Sequence, residues 1–323
     1  MVLRILLLVM LVPASAVYGW DRAQALRFLE QRQAEWTAWK PAQNKAGSCL
    51  SCHTGVPYLL ARKAMGAAVD GEPLVRATVQ RMEAKPAMAM GFDAGAEAVL
   101  NVWALSLRKD RGGEAGKAAL RRLWELQIAD GAEKGSWTWV LAGLEPWDSP
   151  TANYFGAALA QQALRGYANL PGDRVAALRG YLKAKAKDQP LHNRLAWVAL
   201  GDWPGAERVR VLQELWGVQE ADGGFRTEAL GPWMERKDAP ADRGSNAYAT
   251  AWVAYAALEA GVGCKDARMQ RVLGWLERNQ DAGTGAWKAV SMNRVHEPGS
   301  ITAGFMTDAA TGFAVAALSR CGG

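Results

Sequence analysis

The chain has 323 residues, half of them hydrophobic and 22% charged, with 38 basic and 32 acidic side chains for a net charge of +6. That balance excludes a disordered tail, a collagen-like repeat and a protein of many membrane spans, and four cysteines are too few for a disulfide-dense miniature scaffold. No run of five like charges occurs, so nucleic acid is not an expected partner. Fifteen tryptophans against six phenylalanines are out of proportion and call for a structural explanation.

Met1 to Ala16 reads MVLRILLLVMLVPASA. Arg4 supplies a positive start, Ile5 to Val12 an apolar stretch, and Ala14-Ser15-Ala16 a small-residue cleavage site. The apolar stretch ends at Pro13, far short of the roughly 20 residues that a spanning helix needs. The segment reads as a secretion signal over 1–16. The expectation is one domain over 17–323, exported to an oxidising compartment, the periplasm, and not integral to a membrane. The basic balance suits an acidic partner or an anionic surface.

Asp21 to Gln33 has the charged and apolar faces of a surface helix, and Pro73 to Met82 looks similar. Between them lies Cys49-Leu50-Ser51-Cys52-His53. C-x-x-C-H is the attachment pattern for haem c: two sulfurs reach the porphyrin edge while the adjacent imidazole reaches the iron. The alternatives are a Cys49–Cys52 redox disulfide and half of a zinc site. The first lacks a βαβ context. The second lacks further Cys/His pairs, because only Cys264, Cys321, His192 and His296 remain.

Further along, five stretches carry small and apolar residues at helical spacing around nearly their whole circumference. They are Glu97 to Leu107, Tyr154 to Leu164, Arg194 to Leu200, Tyr248 to Leu258 and Ala309 to Leu318. Such helices must be enclosed on most sides. They alternate with helices of one charged and one apolar face: Ala118 to Gln127, Arg174 to Leu182, Arg208 to Gln219 and Arg271 to Gln280. The alternation predicts stacked helical hairpins of inner and outer helices. Three outer helices close on a related turn. Gln127 leads to Asp130-Gly131 and, after an insertion, Trp137; Gln219 leads to Asp222-Gly223-Gly224-Phe225; Gln280 leads to Asp281, Gly283, Gly285 and Trp287. Gln and Asp can bond the open ends of helices, Gly permits a left-handed turn, and the aromatic covers the core.

These turns resemble the glutamine–tryptophan repeats of the squalene–hopene cyclase and protein prenyltransferase superfamily, from about Trp20 to Leu318. The resemblance implies an all-α fold, an α/α toroid of about six hairpins with haem attached in the first. SCLSCHTGVPYLLARKAMG, AEAVLNVWAL, EPWDSPTANYFGAALA, SNAYATAWVAYAAL and FMTDAATGFAVAAL are similar to a haem-bearing subgroup of that superfamily. Neither parent chemistry carries over: there is no D-x-D-D run, and Cys264 and Cys321 have no well-placed histidine for a zinc triad.

In such a ring the last inner helix returns to the hairpin that holds His53. Met306 is therefore a candidate sixth iron ligand, with Met88, Met90, His192 and His296 as rivals and a vacant position as a further reading. Glu97 and Asp308 are candidate proton donors beside the haem, with helix capping or a buried hydrogen bond as the plainer role. Asp93 reads as a cap, and Tyr154 and Tyr248 stand at comparable helix starts. Parallel inner helices would put Cys264 and Cys321 at one end of the ring, where they could form a disulfide. The expectation is an exported monohaem redox protein that passes electrons to a redox partner protein. The alternatives are a haem oxidoreductase acting on a small apolar molecule, and a gas or small-ligand binder.

Overall fold

The structure is a computed structural model that describes residues 19–84, 88, 93–200, 205–234 and 244–322. The expected signal segment and Met90 lie outside the described residues. The fold is all-α, with twelve α-helices and one two-stranded antiparallel ribbon, β1 (Gln43–Asn44) with β2 (Gly47–Ser48), among the described residues.

Six helices are buried on most faces: α2 (Gly55–Ala64), α4 (Ala94–Ser106), α6 (Ala152–Leu164), α8 (Leu191–Leu200), α10 (Ala247–Glu259) and α12 (Phe305–Gly322). In α10 every residue from Ala247 to Leu258 is buried. Alanine makes this feasible, because it loses no side-chain entropy and lets neighbouring backbones approach. The other six helices alternate with these: α1 (Arg22–Ala38), α3 (Pro73–Glu83), α5 (Glu114–Leu126), α7 (Gly172–Lys185), α9 (Gly205–Gly217) and α11 (Ala267–Arg278). They bury a single stripe; in α11 it is Met269, Val272, Leu273, Trp275 and Leu276, the spacing of one helical face. Packing runs from α2 to α4, α6, α8, α10 and α12, and α12 packs in turn against α2. No helix among the described residues is long and apolar enough to cross a membrane.

Two elements depart from the sequence expectation. Helix α1 continues beyond Gln33 to Ala38, because Trp36 in its last turn is buried and extends the apolar face. The first inner helix, α2, was hidden by Pro57 in its first turn and Arg62-Lys63 at its end, where the others close on Ala-Leu.

The three glutamine turns share one bonding scheme. Each side-chain amide donates both to a carbonyl of its own turn and to one at the start of another outer helix. Gln127 reaches Gly135 and Arg174 (3.0 and 3.1 Å), Gln219 reaches Gly223 and Arg268 (3.0 and 3.1 Å), and Gln280 reaches Gly285 and Asp21 (2.8 and 3.0 Å). Trp137 and Trp287 donate their indole N–H to Leu123 and Leu276 carbonyls of the helix just ended. Part of the tryptophan surplus is thus spent closing turns, each indole burying a large apolar area with its one polar atom satisfied. Gly285 shows why the turn needs glycine: its φ is +74°, and a Cβ there would lie 2.6 Å from the Gln24 carbonyl carbon. Cys264 and Cys321, which follow α10 and end α12, are joined as a disulfide across 57 positions.

Candidate functional site

The C-x-x-C-H segment is a turn running from the β1–β2 ribbon into α2. Trp36 Nε1 donates to the Cys49 carbonyl at 2.9 Å, and Cys49 N donates to the Ala42 carbonyl at 3.0 Å. Ser51 Oγ accepts from the backbone N–H groups of Thr54 and Gly55 (3.0 and 2.8 Å), capping the start of α2. Cys49, Cys52 and His53 thereby share the wall of a cavity of about 390 Å³ with Trp36, Trp39, Glu97, Asn101, Trp139, Asp148 and Phe305. That volume lies in the usual range of small-molecule and cofactor sites.

Both sulfurs are free thiols. Burial pushes the Cys49 thiol up to about 11 against the pull of the Arg81 cation, and burial pushes Cys52 well above the ordinary thiol range. Burial thus favours the neutral S–H form of both, in a wall that also carries Glu97, Asn101 and Asp148. Two thiols beside an imidazole are the side chains that a porphyrin's two vinyl groups and its iron would use. Among the described residues no group of three His, Cys, Asp or Glu side chains could hold a bare metal ion.

His53 is buried and neutral, its pKa lowered to about 3 by burial and by the nearby Arg32 cation. Its Nδ1 lies 3.0 Å from Thr54 Oγ1, and that hydroxyl lies 2.7 Å from Asp308 Oδ2. Asp308 also accepts Arg32 Nε at 2.6 Å and Nη2 at 3.1 Å. Burial lifts the Asp308 carboxyl to about 6 despite these donors, so it is ionised at neutral pH. A threonine hydroxyl has one hydrogen, and the carboxylate takes it. Thr54 can then only accept from His53, which assigns the proton to Nδ1 and leaves the lone pair on Nε2. No described residue hydrogen-bonds Nε2. Phe305 stacks on the imidazole at 3.6 Å and 22°, and Trp36 meets it edge-on at 4.9 Å, so the ring has little freedom to turn.

The remaining predicted residues separate. Glu97 lines the cavity and accepts a bond from Asn101 Nδ2 at 3.4 Å. Asp308 is not in the cavity wall; among the described residues it accepts from Arg32 and from Thr54, and the Thr54 hydroxyl links it to His53. Asp93 caps α4 through Gly95 and Ala96. Met306 is buried in the core beside the site, and its predecessor Phe305 is the residue that faces His53. Met88 is exposed against α4 and α5, in a different pocket that Glu97 also borders. His296 is partly exposed in the loop before α12. His192 is enclosed between α8 and α10, where it bonds Asn193 and Tyr248. A larger cavity, about 600 Å³, lies at the C-terminal ends of the inner helices among Lys63, Arg111, Arg165 and Arg320, and no predicted site residue lines it.

Sequence reasoning did not find Arg32, Thr54, Trp139, Asp148 or Phe305. Trp139 Nε1 is a buried donor without a partner among the described residues, set in the cavity wall. Asp148 sits in the same wall with its carboxyl pushed up to about 7 by burial. Only Asp148 had a local signal, as an acid in the Pro146–Pro150 stretch between helices.

No protein-family model matches the chain, and no curated protein does.

Proposed function

We propose that this is an exported monohaem c-type redox protein built on an α/α toroid, with electron transfer to a partner protein as its function. Packing that passes through the six inner helices and returns to α2 supports the ring, as do the three matching glutamine turns, the last of which joins the α11 turn to the start of α1. Cys49 and Cys52 would hold the porphyrin by thioethers, and His53 Nε2 would bind its iron. The bound haem supplies a ferric–ferrous couple. The chain's own residues orient and shield it. Phe305 and Trp36 fix the imidazole plane, Thr54 and Asp308 fix its tautomer, and the buried Trp139 N–H offers a donor to the oxygens that such a group carries. The observation that carries this reading is the imidazole held by Nδ1, with Nε2 free, on the same wall as two neutral thiols.

The test is a haem stain and reduced-minus-oxidised spectrum of the exported protein beside C49A/C52A and H53A. The expected result is a covalently coloured wild-type chain, no colour without the cysteines, and altered iron ligation without His53. A colourless wild-type chain overturns the reading.

One observation favours a second reading, in which the haem binds or activates a small ligand. The described cavity wall carries no methionine and no second histidine, and Met306 is packed in the core. Carbon monoxide separates the two: a ferrous protein that refuses it is an electron carrier, and one that binds it readily is a ligand-binding or catalytic haem protein.

A further inference from the structure

Tyr248 and His192 are completely enclosed and have no part in holding the haem. Asn193 Nδ2 donates to the Thr151 carbonyl at 3.1 Å and to Gln189 Oε1 at 3.0 Å, which fixes the amide with Oδ1 towards His192 Nδ1, 2.9 Å away. An amide oxygen only accepts, so Nδ1 carries the ring proton and Nε2 is the acceptor. Tyr248 Oη lies 2.8 Å from that Nε2. The pair is a phenol donating to a neutral imidazole. Tyr154, equally buried, instead donates to the Leu182 carbonyl, which cannot take a proton. Trp147 stands between this pair and the candidate site: its ring is 5.3 Å from Tyr248, edge to face, and 6.3 Å from His53.

We propose that Tyr248 is a redox-active tyrosine that gives one electron through Trp147 to the group held at His53 and its phenolic proton to His192 Nε2. The destination of the electron rests on the haem reading; the proton step rests on the pair alone. The Tyr248 O–H bond breaks and an N–H bond forms on His192, leaving a neutral phenoxyl radical and an imidazolium. The co-reactant is a hydroperoxide at the His53 end. With haem held there, hydrogen peroxide would take two electrons and two solvent protons and leave as two waters, one electron coming from Tyr248 and the other from ferrous iron, which would become ferric. Burial lowers His192 to about 4, yet a phenol that has lost an electron is so strong an acid that this base suffices. Without the imidazole the proton would have nowhere to go, and a buried radical cation would be unaffordable.

The experiment has two arms on the whole exported chain. In one, hydrogen peroxide is mixed in, the sample is frozen at once, and electron paramagnetic resonance is recorded with ordinary and ring-deuterated tyrosine. In the other, flash-generated tris(bipyridyl)ruthenium(III) is the one-electron oxidant, so that no haem is required. The expected signal narrows with deuterated tyrosine, is lost in Y248F, and forms about tenfold more slowly in H192Q, whose amide accepts the hydrogen bond but cannot keep the proton. W147F slows the peroxide arm alone. A haem-bearing chain whose radical is indifferent to Y248F in both arms overturns the proposal. A chain without haem that yields the Tyr248 signal under ruthenium overturns the haem reading and the electron's destination, and leaves the pair standing.

Discussion

The Thr54 hydroxyl and the Asp308 carboxylate, 254 positions apart, meet at 2.7 Å. Through that one bond the last inner helix decides which nitrogen of His53 carries a proton. Asp308 is itself fully buried and anchored by Arg32, so the imidazole, hydroxyl, carboxylate and guanidinium form a single chain of bonds from α12 and α1 to the cavity.

Removing the carboxylate leaves the Arg32 cation, 12% exposed, with the more exposed Glu35 as its ion-pair partner among the described residues. D308A is expected to lose roughly 3 kcal/mol of stability, as broken buried ion pairs do. T54V, which orphans only the His53 N–H, is expected to lose about 1–2 kcal/mol. Urea unfolding of both variants checks the order. Equal losses would show that the charge contributes nothing beyond a hydrogen bond.

Asp148, raised to about 7 by burial, is neutral below that pH and anionic above it. An anion in the cavity wall stabilises the more positive, oxidised iron. The reduction potential of the haem-bearing protein is therefore expected to fall as pH rises through about 7, and D148N should flatten that fall. Potentiometric titrations at pH 6 and pH 8 on wild type and variant give the answer; an unchanged slope in D148N assigns the effect elsewhere.

The buried imidazoles predict acid sensitivity. His192 is held at about 4 by burial, against an ordinary value of 6.5. Between those values the unfolded chain binds a proton that the folded chain refuses. Its contribution to stability is thus complete above 6.5 and is lost as pH falls towards 4, at up to about 1.4 kcal/mol per pH unit. In a chain without haem, His53, held at about 3, acts in the same direction over a wider range. Urea unfolding at pH 7, 6 and 5 should show the decline, with H192Q declining less steeply than wild type. A parallel decline in H192Q counts against His192 as its source.

Where α12 packs against α2, Gly312 lies under Pro57. A Cβ there would be 2.3 Å from Pro57 Cβ and 2.6 Å from its carbonyl oxygen, and neither atom can swing aside. G312A is expected to cost about 2–3 kcal/mol by overpacking. It should also shift the optical spectrum of the haem-bearing protein, because α2 begins two residues after His53. Normal stability in G312A would mean that these two helices part easily.

The alternation of enclosed and one-faced helices, the glutamine turns and the C-x-x-C-H segment were all legible along the chain. Helical periodicity, turn chemistry and the spacing of two cysteines and a histidine are relations between residues a few positions apart. Cys264 and Cys321 were also within reach, once the inner helices were taken as parallel. The roles around His53 were not. Met306 and Phe305 are neighbours on one helix, and the rotation of α12 about its own axis turns the ring towards His53 while the thioether goes into the core. Asp308 reads locally as an acid near a helix start; its partners Arg32 and Thr54 come from the other end of the chain. His192 and Tyr248 carry no mark of each other in sequence either. Short-range order follows from local sterics and hydrogen bonds. Which polar atoms face one another in the interior depends on helix rotations of a fraction of a turn, and those are settled only when all the helices pack at once.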